Sequence, residues 1–101
     1  MANFLLADDE KQVEQLIRFK LTKEGHSLDY VENGEDALKK VLDKNNKYDI
    51  IILDIMMPVY DGIYALKKIR ELEAYKKTPI IMLTAKSNEN DVIQGYDLGA
   101  T

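Results

Sequence analysis

Residues 48–58 read Tyr48-Asp49-Ile50-Ile51-Ile52-Leu53-Asp54-Ile55-Met56-Met57-Pro58. The aliphatic residues Ile50 to Leu53 run straight into the carboxylate of Asp54, and Pro58 closes the segment. A short apolar run, rich in β-branched residues and bounded by Asp and Pro, is the pattern of a strand buried on both faces, as inside a parallel sheet. Asp54 then stands at its carboxyl end. Ligands of open α/β sheets bind just beyond the carboxyl ends of the strands, so a carboxylate there is placed for chemistry more than for packing.

Working outward, the same unit recurs. Asn3 to Ala7 is a short buried strand that ends at Asp8-Asp9-Glu10; Val13, Leu16, Ile17 and Leu21 then follow at helical spacing, and Gly25 supplies the left-handed stop. Ser27 to Val31 partly alternates apolar and polar, as a strand near a sheet edge does. Asn33-Gly34 is expected to make a turn, Ala37, Leu38, Val41 and Leu42 to form the next apolar helix face, and residues 43–47 to be a surface connection. Beyond Pro58, Asp61 is expected to cap a helix with Ile63, Leu66, Ile69 and Leu72 inside. Ile80 to Leu83 is a second fully apolar strand, ending at Thr84-Ala85-Lys86; Ser87 would cap a last helix with Val92, Ile93 and Tyr96 inside and Gly99 as its stop. Strict strand-helix alternation predicts a parallel sheet with right-handed crossovers and helices on both faces.

A chain of 101 residues is expected to be one domain. No apolar run is long enough to span a bilayer, and Phe4 to Ala7 passes at once into Asp8-Asp9-Glu10, unlike a signal peptide, so a cytoplasmic location is expected, with no membrane partner. The absence of cysteine excludes disulfides and thiolate chemistry. A balance of 14 Lys+Arg against 18 Asp+Glu, net −4, disfavours direct nucleic-acid binding, because the phosphate backbone rewards the opposite sign.

The strand ends carry the chemistry: Asp8 and Asp9 after the first, Asp54 after the third, Thr84 after the fourth. If these strands are neighbours, the groups meet at one sheet edge, where three carboxylates repel unless a cation neutralises them. A hard divalent ion is the natural answer, and magnesium typically takes one or two carboxylates, waters and a phosphate oxygen. Asp54, on the most buried strand, is the nucleophile candidate for an aspartyl phosphate. Asp8 and Asp9 are then metal ligands, with the Met56 backbone carbonyl adding an oxygen and the Thr84 hydroxyl donating to a phosphoryl oxygen.

Leu6-Ala7-Asp8-Asp9-Glu10, Leu53-Asp54-Ile55-Met56-Met57-Pro58 with Asp61-Gly62, Leu83-Thr84-Ala85, and Gly95-Tyr96-Asp97-Leu98-Gly99-Ala100 together resemble the receiver domains of two-component response regulators, over essentially the whole chain. The resemblance implies a flavodoxin-like three-layer α/β/α fold with strand order 2-1-3-4-5. It also implies phosphorylation of Asp54 by a sensor histidine kinase or phosphotransfer protein, and Mg2+ held by Asp9, Asp54 and the Met56 carbonyl and, through water, by Asp8. Thr84 would be the switch hydroxyl. Such a domain accepts a phosphoryl group and loses it by self-catalysis; it is a regulatory module and not a turnover enzyme. The family's fifth strand with its switch aromatic, its Lys-Pro pair and its fifth helix have no counterpart before Thr101, so residues 1–101 are expected to form a C-terminally shortened receiver with strand order 2-1-3-4. Lys86 is the nearby cation that could substitute for the family's phosphate-binding lysine, and Tyr96, on the last helix, does not take the aromatic's role.

Plainer readings stand beside these. Asp8 and Asp9 could simply open a helix, a favourable placement worth roughly 0.3 to 1 kcal/mol each. Tyr30, Tyr48, Tyr60, Tyr64 and Tyr75 are expected at the surface or partly buried, and His26 is expected to be structural. The basic residues of 67–77 are read most simply as a solvated helix face, with docking of a kinase as the alternative. The apolar fourth strand would be a poorly guarded edge, and a missing fifth helix would uncover apolar surface beside the first helix; both predict a homo-oligomer, through that edge or that face. Two other functions compete: a self-associating scaffold with impaired phosphotransfer, and a phosphatase of the haloacid dehalogenase type. The latter wants a second carboxylate where Met56 stands.

Overall fold

Strands form where the chain is apolar without interruption or, in Ser27–Val31, partly alternating, and helices where apolar residues recur at three and four. The computed structural model describes residues 1–55 and 61–83, in the order β1 (Asn3–Ala7), α1 (Lys11–Lys23), β2 (Ser27–Val31), α2 (Gly34–Leu42), β3 (Ile50–Asp54), α3 (Gly62–Arg70), a 3-10 turn (Glu73–Tyr75) and β4 (Ile80–Leu83). The strands are parallel and ordered β2-β1-β3-β4, the expected flavodoxin-like arrangement. The expected last helix lies outside the described residues. Among the described residues no helix is long and apolar enough to cross a membrane.

The caps explain where the helices stop and start. At the end of α1 the Gly25 N–H donates to Thr22 O and the His26 N–H to Leu21 O, with Gly25 at φ 84°. That is a Schellman ending, which requires the left-handed conformation that glycine adopts without a Cβ clash. Asn33-Gly34 is not a free turn: Asn33 caps α2, its side chain accepting from the Asp36 N–H at 2.8 Å, and Gly34 is already helical. Asp61 caps α3 as expected, accepting from the Tyr64 N–H at 2.8 Å. α3 ends at Arg70, so Leu72 belongs to the start of the 3-10 turn and not to the helix.

The two faces of the sheet are filled unequally. Leu5, Ala7, Ile51 and Leu53 point to the side covered by α2 and α3, where Ala37, Val41, Ala65, Leu66 and Ile69 meet them. Tyr48 and Tyr75 lie in this core, more deeply buried than the surface or partly buried positions expected of them. Both rings are buried because their hydroxyls find partners: Tyr48 Oη donates to Asp29 at 2.6 Å, and Tyr75 Oη accepts from the Tyr48 N–H at 3.4 Å. On the other side Phe4, Leu6 and Ile52 are covered by Ile17 and Leu21 of α1. No residue of α1 is buried, and Leu16, expected inside, is 63% exposed, as Phe19 is 69%. The helical repeat sets Leu16 and Phe19 on a second stripe, turned away from the Ile17 and Leu21 stripe that meets the sheet. Leu42, expected on the inner face of α2, is likewise exposed.

Candidate functional site

β1 and β3 are register neighbours, Ala7 beside Leu53, so the residues that follow, Asp8 and Asp54, leave the sheet side by side. The alternation of each strand sends them to the α1 face, the side of Leu6 and Ile52. Each strand is held by the ladder up to this point: the Asp8 N–H donates to Val31 O at 3.1 Å, and the Ile55 N–H to Leu83 O at 3.0 Å.

Asp8 and Asp54 are buried, at 3% and 6% exposure, and Asp9 is exposed. One carboxylate oxygen of each lies within 4.8 Å of the others. Asp8 does not cap α1. That helix starts behind Glu10, which makes no side-chain cap, while Asp8 accepts from the Glu10 N–H at 2.8 Å. Burial pushes the Asp8 carboxyl above the usual carboxylate range; the Glu10 N–H opposes this, the charge of Asp9 adds to it, and a side-chain hydrogen bond with Asp54 opposes it. Three carboxylates this close repel one another unless a cation neutralises them. The oxygen-only donor set, two buried members and one reaching solvent, fits a hard divalent ion with room for water.

The start of α3 is built onto the same strand end. The Gly62 N–H donates to Ile55 O at 3.1 Å, and a Cβ on Gly62 would fall 2.2 Å from the Asp54 carbonyl oxygen. Gly62 therefore lets α3 close against the backbone that carries Asp54. The Asp61-Gly62 pair was its only trace in the sequence. Of the other expected site residues, Met56, Thr84 and Lys86 lie outside the described residues, although β4 pairs Leu83 with Asp54 and so brings the chain to the residue before Thr84. His26 is remote from the acids: its Nδ1 accepts from the Ala2 N–H at 2.8 Å, and its ring meets Phe4 with centroids 5.3 Å apart. Tyr30 is a residue that periodicity could not single out. Its hydroxyl is buried without a hydrogen-bond partner among the described residues.

Comparison with known proteins agrees with this architecture. The family model described as the response regulator receiver domain matches residues 4–101. The transcriptional regulatory protein ResD of Bacillus subtilis is 46% identical over 95 residues, which make up 94% of this chain and 38% of ResD. The chain thus spans about two-fifths of the length of the curated relatives it matches. Among solved structures, the chemotaxis response regulator CheY4 of Vibrio cholerae superposes with a TM-score of 0.91 at 34% identity, covering 100% of this chain and 82% of CheY4. The Mn2+-bound form of response regulator Rcp1 gives 0.89 at 28% identity, covering 100% and 78%.

Proposed function

This chain belongs to the response regulator receiver family, and on that premise we propose that it is a phospho-acceptor signalling module, taking a phosphoryl group from a sensor histidine kinase or phosphotransfer protein onto Asp54 in a Mg2+-dependent reaction. The observation that carries this reading is the buried Asp54 carboxylate at the end of β3, clustered within 4.8 Å with Asp8 and Asp9. Residues 1–101 act as one receiver domain, in the cytoplasm. Family membership favours this reading over the scaffold and the dehalogenase-type phosphatase.

An Asp54 carboxylate oxygen bonds to phosphorus as the bond from phosphorus to the donor's imidazole nitrogen breaks; the nitrogen keeps the electron pair and takes a proton from solvent. Asp8, Asp9, Asp54 and the Met56 carbonyl would hold Mg2+, which when bound neutralises charge on the phosphoryl oxygens. The Mn2+ bound by Rcp1 supports a divalent ion here. The strand ladder at Ile55 and the Gly62 contact keep the nucleophile fixed, which is the main service a protein renders to phosphoryl transfer. Thr84 donates its hydroxyl to a phosphoryl oxygen and acts as the switch group, and Lys86 supplies positive charge nearby.

The test is intact-mass and peptide mapping after incubation with a small-molecule phosphodonor and Mg2+. One phosphoryl group is expected on Asp54, none on Asp54→Asn, and slower gain in Thr84→Ala and Lys86→Ala. An unmodified wild-type chain, or equal modification of Asp54→Asn, overturns the reading.

A second reading, self-association, rests on exposed apolar side chains: Leu16 and Phe19 on α1, and Ile81, 41% exposed, on β4, the outermost strand on its side among the described residues.

A further inference from the structure

Tyr30 lies on β2 beside Leu6 of β1, and its ring packs against the Phe4, Leu6 and Ile52 cluster beneath α1. Leu6 is two residues before Asp8, which follows β1 and continues its alternation to the same side, and the Asp8 N–H is bonded to Val31, the residue after Tyr30. Tyr30 therefore flanks the acidic site from the strand next to it. Its hydroxyl is buried and makes no hydrogen bond to any described residue. Native structures rarely leave such a group unsatisfied, and each case asks for an explanation.

The electrostatic surroundings narrow the choice of partner. Burial raises the Tyr30 phenol above its ordinary range, and the negative charges of Glu32, Asp8, Glu14 and Asp9 act in the same direction, so the group remains a neutral O–H donor. Of these four acids, Glu14 is paired with Arg18 and Glu32 with Lys11. Among the described residues Asp8 and Asp9 have no basic side chain paired with them, and the Glu10 N–H is the one backbone donor to Asp8, which leaves its carboxylate capacity for a further donor. A polar pair beyond direct reach in a buried setting is commonly joined by one water.

We propose that Tyr30 is a positioning residue of the acidic site: its hydroxyl donates to a water that in turn bonds the Asp8 carboxylate, holding Asp8 in the orientation that takes up a divalent ion. The inference rests on the reading of Asp8, Asp9 and Asp54 as a Mg2+ centre. It assigns to β2 a part in a site otherwise built from β1, β3 and the segments that follow them.

Tyr30→Phe removes the hydroxyl and keeps the ring, so the packing against Phe4 and Leu6 survives. Mg2+ affinity is measured by calorimetry on wild type, Tyr30→Phe and Asp9→Asn, with a thermal melt of each. The chain has no Trp and six Tyr, so a near-ultraviolet difference spectrum on Mg2+ addition reports tyrosines. Expected are a loss of about tenfold in affinity for Tyr30→Phe, the lower end of what outer-shell partners of metal ligands contribute, and loss of most of the Mg2+-induced tyrosine signal, with a melt no lower than wild type. An affinity within about twofold of wild type, with the spectral change intact, overturns the role of Tyr30 while leaving the metal centre standing. A wild-type chain that takes up no Mg2+ overturns both, and Asp9→Asn binding as well as wild type does the same.

Discussion

At Gly62 there is no room for a side chain. A Cβ would stand 2.2 Å from the Asp54 carbonyl oxygen, 2.8 Å from its carbon and 2.9 Å from the Ile55 Cα, all backbone atoms that cannot swing aside as a side chain would. Gly62→Ala must therefore push α3 away from β3 or displace the peptide that carries Asp54. The expected cost is about 1 to 3 kcal/mol, the usual range for overpacking a filled interior, read by urea denaturation. Phosphorylation at the proposed acceptor Asp54 is expected to slow as well, because its carboxylate is attached to the displaced backbone. A variant as stable and as readily phosphorylated as wild type would show that the α3 start yields freely. The requirement for glycine was not legible in residues 61–62 alone, since it arises from the end of β3 at Asp54, eight residues earlier in the chain.

At the scale of elements, β2 is tied to the segment entering β3 by one hydrogen bond, from Tyr48 Oη to Asp29. Burial, first, and then this bond to a carboxylate push the Tyr48 phenol far above its ordinary range. The unfolded phenol titrates near pH 10. The stability that Tyr48 contributes is thus fully present below about pH 10 and is lost as the pH rises from there toward the folded-state value. Tyr48→Phe is expected to cost about 1 kcal/mol at neutral pH, since the exposed Asp29 can turn to water. The variant should also lose stability less steeply than wild type above about pH 10; parallel alkaline denaturation curves would refute the coupling. The strands themselves were readable to within a residue, because an apolar run, or in β2 a partial alternation, bounded by polar or turn residues marks its own ends. The burial of Tyr48 and Tyr75 was not, because a tyrosine goes inside only if its hydroxyl finds a partner, and both partners come from elsewhere in the fold.

At the scale of the molecule, the described residues form one thick core and one thin one. Among the described residues, the α2 and α3 side holds thirteen buried residues and the α1 side three, so most of the hydrophobic stabilisation lies on the first side. The thin side also presents Leu16 and Phe19 to solvent. If copies associate through this face, sedimentation at micromolar concentration gives a mass above the 11.6 kDa monomer, and Leu16→Ser with Phe19→Ser returns the monomer. The double variant should fold with a stability change within about 0.5 kcal/mol per site, as exposed positions allow. Association that survives the substitutions points to the β4 edge, and a wild-type monomer removes the idea.

Local pattern alone was enough to mark the strands, the glycine stop of α1, the Asp61 cap of α3, and Asp54 as the carboxylate that a buried strand delivers to its end, because burial and capping are written in neighbouring residues. Whether Asp8 and Asp9 meet Asp54 was decided by β1 lying next to β3, a crossover that no local pattern states. The same adjacency converts two acids that could have served a helix start into a charged cluster that calls for a cation. The pairing of β2 with β1 likewise sets Tyr30 beside Leu6, and the packing of α3 on the end of β3 sets the Gly62 backbone against Asp54, placements that depend on contacts between segments and not on local pattern.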